Sequence, residues 1–171
     1  MLRVLKKVTQ TLAIISYVII FGFVLILAPM VFGWTPIVIQ SPSMEPSIKT
    51  GSIVYYNKNI DEKDLKVGDV ITFKNDAKAP LVTHRLMIIE NETKTVRTMG
   101  DANGVLDQNH LPIKNIIGKV GTLYLPKVGF YITYMQNPVV ITVFAGIIVS
   151  NIVVGYFLSK NEGDEEKREE K

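Results

Sequence analysis

The sequence predicts a small, mostly β domain, a coiled sheet or partial barrel, flanked by two membrane-spanning helices. Three observations carry that expectation. The 171 residues are 47% hydrophobic with a positive mean hydropathy, and the apolar residues pile up toward both ends instead of spreading evenly. Between the ends, short runs rich in β-branched and aromatic residues are bounded by clusters of Gly, Asn, Asp and Lys, the pattern of strands and turns. No helical period of useful length runs through that middle part.

In chain order, residues 1–10 carry Arg3, Lys6 and Lys7 and are expected on the cytoplasmic side by the positive-inside tendency. Residues 11–34 are uncharged. As a helix they would extend roughly 36 Å, more than the roughly 30 Å hydrocarbon layer of a bilayer. A cleavable secretory leader would open on the same basic residues, but its apolar region is shorter than this one and ends in a small-x-small site that is missing here. The segment therefore reads as an uncleaved anchor, with Trp34 near the outer interface. Residues 35–130 would form an extracytoplasmic β-rich domain, with strands expected over 52–56, 69–73, 81–90 and 117–124. Met44 and the stretch 125–134, with Phe130, Tyr131 and Tyr134, are candidates for its membrane-facing surface or for ordinary core packing.

Residues 138–158 are dense enough in Val, Ile and Phe to cross the membrane again. Asn137-Pro138 suits a helix start, because proline is tolerated in the first turn. Asn151 in the middle is a polar group that a packed helix would satisfy. Residues 159–171 mix charges with few apolar groups and are expected to be disordered on the cytoplasmic side.

Composition excludes several function classes. There is no cysteine, which removes thiol nucleophiles, disulfides and thiolate metal sites together. The two histidines, His84 and His110, lack the spacing of a zinc-protease helix, so no metal and no cofactor is expected. The net charge is only +3 and the lysines lie among acidic residues without interleaved aromatics, so a nucleic-acid partner is not expected.

The chemistry-bearing residues are spread over three stretches. Ser43 sits between Pro42 and Pro46, whose fixed φ values present the hydroxyl on a stiff backbone. In the strand candidate 81–90, period-2 geometry puts Val82, His84, Leu86 and Ile88 on one face, where an imidazole needs partners for its nitrogens. A turn-rich segment then supplies Asp101 and Asp107. Each feature alone is ordinary. Together they offer a constrained serine, a histidine and a carboxylate on one side of the membrane. A serine hydroxyl becomes a competent nucleophile when an imidazole takes its proton and a carboxylate fixes the imidazole tautomer. The chain order Ser, His, Asp matches neither common soluble arrangement, although convergent triads vary in order.

Ser41-Pro42-Ser43-Met44-Glu45-Pro46 followed by Gly51, then Val67-Gly68-Asp69-Val70-Ile71, Thr83-His84-Arg85, and Gly100-Asp101-Ala102-Asn103 with Asp107 resemble the successive motif boxes of type I signal peptidases. His84, where the common bacterial enzymes have a lysine, makes the chain similar to the archaeal and endoplasmic-reticulum branch. Two positions depart from the pattern. Ser52 follows Gly51 where Asp is common, and Pro42 stands where glycine is frequent.

The resemblance implies a membrane-bound serine endopeptidase with a signal-peptidase-like β fold, acting on secretory precursors after small-x-small sites. Ser43 is implied as nucleophile, His84 as general base, and Asp107 as the residue orienting His84, with Asp101 as its competitor. The Ser43 N–H, the Ser41 hydroxyl and Met44 are implied at the oxyanion and substrate-binding side. Implied surroundings are a plasma membrane or an endoplasmic-reticulum membrane, signal-bearing precursors, the lipid bilayer, and accessory subunits or a translocon. A rival reading of another class is a membrane-tethered β domain that binds a partner without chemistry. A Ser-Lys protease of the self-cleaving repressor type would need a lysine where His84 stands.

Overall fold

A computed structural model describes residues 2–169 of the chain. It divides into a helical unit, formed by the residues up to Ile26 and those from Thr133 onward, and a β unit, Leu27–Ile132.

The β unit is one curled sheet of seven strands. These are β1 (Trp34–Val38), β2 (Ile53–Asn57), β3 (Val70–Phe73), β4 (Val82–Glu90), β5 (Thr95–Met99), β6 (Leu111–Pro112) and β7 (Ile116–Leu125). They lie in the order β1-β2-β7-β3-β4-β5-β6, and every pairing is antiparallel. The mostly β architecture is therefore as expected. Strands β1, β5 and β6 are not legible in the sequence: β1 lies at the end of the long apolar N-terminal run, β5 carries Arg97 among its few residues, and β6 is only two residues long.

Two clusters hold the unit together. Leu65, Ile71, Phe73, Leu86, Val96, Leu111 and Ile113 fill the first, with Val82 and Ile89 packed against it. Ile39, Met44, Ile48 and Val54 form the second, which lies under the loop between β1 and β2. Each such side chain contributes about 1.5–3 kcal/mol when taken out of water. The expected β4 face needs a correction. The β4–β5 register shifts between Leu86 and Ile88, so Ile89 joins the core and Ile88 is left exposed. An extra residue in one strand reverses the in-out alternation beyond it.

In the helical unit, α1 (Leu2–Leu27) and α3 (Pro138–Glu169) are long helices, and the stretches Lys6–Phe32 and Pro138–Phe157 are long and apolar enough to cross a membrane. Asn137 opens α3, its Oδ1 accepting the Val139 N–H at 2.9 Å. Both helices line a cleft bounded by Thr9, Leu12, Val143, Gly146, Ile147 and Ser150. Buried Ser16 donates its hydroxyl to the Leu12 carbonyl at 2.9 Å, and Asn151 is half-buried.

Two boundaries differ from the sequence expectation. The first helix ends at Leu27 and a 3₁₀ turn, Ala28–Phe32, follows, because Pro29 lacks the N–H that would continue the α-helical ladder. Gly33, at φ 82°, closes that turn, so Trp34 begins β1 and pairs with Asn57 instead of ending the span. At the other end, α3 continues to Glu169 where disorder was expected, in keeping with the high helix propensity of Lys and Glu. Residues 170 and 171 of that tail lie outside the described residues.

Between β7 and α3 runs the short helix α2 (Gly129–Met135). Its Ile132 is buried, whereas Phe130 and Tyr134 are exposed. Gly51, at φ 79°, backs directly onto the Phe130 ring with no room for a β-carbon. Here both the backbone conformation and the close approach require glycine.

Candidate active site

The serine loop is tied at its neck and pinned from beneath. Ile39 N–H donates to the Ser52 carbonyl at 2.9 Å and Gly51 N–H to the Ile39 carbonyl at 2.8 Å. Pro42–Met44 then form a single 3₁₀ turn closed by Glu45 N–H on the Pro42 carbonyl, with Pro42 in the first-turn position it suits. Farther along, Thr50 donates its N–H and its hydroxyl to the Glu45 carboxylate at 3.1 and 2.9 Å. These bonds, the backbone one foremost, hold that carboxyl below its usual range.

The Met44 side chain is 0% exposed and packs with Ile39, Ile48 and Val54, which is the core-packing alternative of the two that its place in the sequence offered. It anchors the turn that carries Ser43. Ser43 itself is half-buried, and its Oγ lies 3.1 Å from the Ser41 Oγ.

His84 comes from β4, where it pairs across the ladder with Ile71 of β3. Its side chain is 12% exposed and its ring stands edge-to-face on Phe73, with centroids 6.2 Å apart. Nδ1 is 2.7 Å from Asp107 Oδ2. A carboxylate accepts, so Nδ1 is the donor, and in the neutral imidazole Nε2 then holds the lone pair. That lone pair lies beside the serine loop: a β-carbon added to Gly100 would be 3.1 Å from His84 Nε2 and 2.7 Å from the Ser43 carbonyl oxygen. Gly100 is thus the thin wall that lets the two segments meet. The loop is fastened there by Ala102 N–H donating to the Ser43 carbonyl at 2.9 Å.

The two aspartates have different partners. His84 and Arg85 are consecutive strand residues and point to opposite faces. Arg85 takes Asp101 in a two-pronged bond, Nε to Oδ1 at 2.8 Å and Nη2 to Oδ2 at 2.6 Å, and also donates Nη1 to the Gly68 carbonyl at 2.8 Å. The Arg85 hydrogen bonds, followed by one from Ser47, hold the Asp101 carboxyl below its usual range against the opposing effect of burial. The same bonds raise Arg85 above its own usual value. Asp107 sits in irregular chain, yet it is gripped by β5: its N–H donates to the Thr98 carbonyl at 2.8 Å and its Oδ2 accepts the Thr98 hydroxyl at 2.5 Å.

Of the residues singled out from the sequence, His84 and Asp107 are in direct contact. Ser43 lies across Gly100 from the imidazole, Ser41 is beside Ser43, and Asp101 is engaged by Arg85. Sequence reasoning assigns no role to Arg85, although it stands in the histidine motif, and none to Thr98. Arg85 directly follows the histidine, and Thr98 is two residues before Gly100, but neither spacing names a partner. Among the described residues, no three His, Asp or Glu side chains gather closely enough to hold a metal ion.

A serine on a tied loop and an imidazole with a carboxylate on Nδ1 are groups that acyl transfer can use. Comparison with known proteins bears on the same residues. The family model for signal peptidases, peptidase S26, matches residues 10–123.

The chain belongs to the peptidase S26 signal peptidase family.

Relatives of this S26 chain come from both bacteria and eukaryotes. It is 35% identical over 126 residues to signal peptidase I W of Bacillus subtilis, covering 66% of each chain. It is 37% identical over 114 residues to the signal peptidase complex catalytic subunit SEC11 of Eremothecium gossypii, covering 59% of this chain and 65% of that one. Similarity to the SEC11 subunit of Candida tropicalis is 33% over 140 residues, covering 73% and 81%. The chain thus spans about two thirds of the length of the first two relatives. The branch resemblance read from His84 agrees with these matches.

Proposed function

We propose that this S26 chain is a membrane-bound serine endopeptidase that removes signal peptides from translocated precursor proteins. The observation that carries the reading is the 2.7 Å contact between His84 Nδ1 and Asp107 Oδ2, with Nε2 beside Gly100, which itself lies against the Ser43 carbonyl. His84 Nε2 takes the proton of the Ser43 hydroxyl as Oγ attacks the scissile carbonyl. The imidazolium then gives that proton to the leaving amine, and a water activated by the same base hydrolyses the acyl-enzyme. Asp107 keeps the proton on Nδ1 throughout. The Ser43 N–H and the Ser41 hydroxyl are the donors for the tetrahedral oxyanion, each worth roughly 3 kcal/mol in such sites. A protonated imidazole cannot accept the serine proton, so cleavage falls on acidification.

Strand β1 ends the sheet and leads directly into the serine loop. Its free edge offers main-chain partners to an extended peptide, and small side chains before the scissile bond suit a shallow site beside Ser43. The positive-inside tendency keeps Arg3, Lys6 and Lys7 in the cytoplasm, so the β unit faces the exterior or the lumen, where a precursor's apolar segment ends. The membrane is the plasma membrane, or that of the endoplasmic reticulum in a eukaryote. The relatives described as complex subunits support action alongside accessory subunits.

The test is cleavage of a signal-bearing precursor by detergent-solubilised protein and by its Ser43→Ala form, followed by mapping of the new N-terminus. The expected result is a cut after a small-x-small site by the native protein and none by Ser43→Ala. A Ser43→Ala protein that still cleaves removes Ser43 from the mechanism, and a native protein that never cleaves leaves the non-catalytic binding reading.

A further inference from the structure

We propose that Thr98 is a positioning residue of this site, fixing through its hydroxyl which oxygen of Asp107 meets His84. The proposal rests on the reading above, in which Asp107 orients the general base. Thr98 is on β5 and 2% exposed. Its Oγ donates to Asp107 Oδ2 at 2.5 Å, the same oxygen that His84 Nδ1 approaches to 2.7 Å. Its carbonyl accepts the Asp107 N–H at 2.8 Å, and the neighbouring Arg97 sends Nη2 to the Asp107 carbonyl at 3.3 Å.

Asp107 needs such a grip because it belongs to no strand or helix and its side chain is 28% exposed. Left to itself, its carboxylate could rotate toward solvent or offer the other oxygen, turning the imidazole and swinging Nε2 away from the serine loop. The backbone contacts set where residue 107 is, and the hydroxyl is the group besides His84 itself that bonds its carboxylate. A threonine suits the position. Its branched side chain restricts χ1, so the hydroxyl is held in one direction, and the buried donor finds its acceptor in a charged group, the strong kind of hydrogen bond.

The test separates donor from shape and this role from the reading beneath it. Thr98→Val keeps the outline and loses the donor; Thr98→Ser keeps the donor and loses a methyl. With a precursor peptide as substrate and full-length protein in detergent, Thr98→Val is expected to lower kcat about tenfold or more, the worth of a hydrogen bond to a charged group, with KM little changed. Thr98→Ser is expected to retain most of the rate. In an Asp107→Asn background, Thr98→Val should add little further loss, since the two residues act as one unit. If Thr98→Val does not fold, Thr98→Ala against Thr98→Ser gives the same comparison, because those two differ only in the hydroxyl.

A Thr98→Val or Thr98→Ala protein that turns over like the native one, while Asp107→Asn is impaired, overturns the role of Thr98 and leaves the reading standing. Equal losses in Thr98→Ser and Thr98→Val overturn it as well, since shape would then be what matters. An Asp107→Asn protein with native kcat overturns the reading itself.

Discussion

Asp101 and Asp107 belong to one turn-rich segment, and their partners decide what each carboxylate can do. Asp101 faces a guanidinium that can never give up its charge, so its two oxygens are committed. Its carboxyl titrates below the ordinary range because Arg85, and after it Ser47, hydrogen-bond the charged form. A folded-state value below the unfolded one adds stability that is present above the unfolded pKa, roughly 3.9 for Asp, and is lost as pH falls through the folded value. Asp101→Asn is therefore expected to lower the thermal midpoint at neutral pH, by about 1–3 kcal/mol of stability, and to flatten its fall in acid. Asp107→Asn is expected to leave the midpoint closer to native and to lower kcat severely; the corresponding change in a soluble serine protease costs about ten-thousandfold. Thermal unfolding in detergent over a pH series, with kcat for both variants, checks the pair. A larger loss of kcat in Asp101→Asn would reverse the two roles.

At the scale of elements, the loop between β1 and β2 presents Ser43 rigidly although it contains no strand. Its stiffness comes from three apolar residues turned inward, Ile39, Met44 and Ile48, and from the neck bonds at Ile39 and Gly51. Met44→Ala should cost about 2–5 kcal/mol, the range for truncating a buried large side chain, and should lower cleavage as well, because the neighbouring Ser43 loses its footing. Unfolding in detergent and kcat measured together check this; a destabilised protein with native turnover would mean that the loop is held by its hydrogen bonds alone. Strands β2, β3, β4 and β7 were legible in the sequence because β-branched runs between turn residues are a local signal. The bulge in β4 was not legible. It is defined by the register against β5, and a register needs both strands.

For the molecule as a whole, the proposed topology has a direct test that the composition makes clean. The chain has no cysteine, so one introduced thiol is the only one to label. Lys58 follows β2 and is exposed. In intact cells expressing the protein in the plasma membrane, Lys58→Cys is expected to react with a membrane-impermeant maleimide added outside. Labelling only after permeabilisation would turn the β unit inward and remove it from translocated precursors.

Two apolar helices, a β-rich middle, and a serine, a histidine and two aspartates in family order can all be recognised from the residues alone. Apolar length, two-residue alternation and proline placement act over a few neighbouring residues, so they can be read along the chain. Only folding brings His84 to Asp107, 23 positions away, and Arg85 to Asp101, 16 positions away, sets the Thr98 hydroxyl on the Asp107 carboxylate, and turns Met44 into the core. A carboxylate's role depends on which donors surround it in space, and the curl of the sheet brings those donors together.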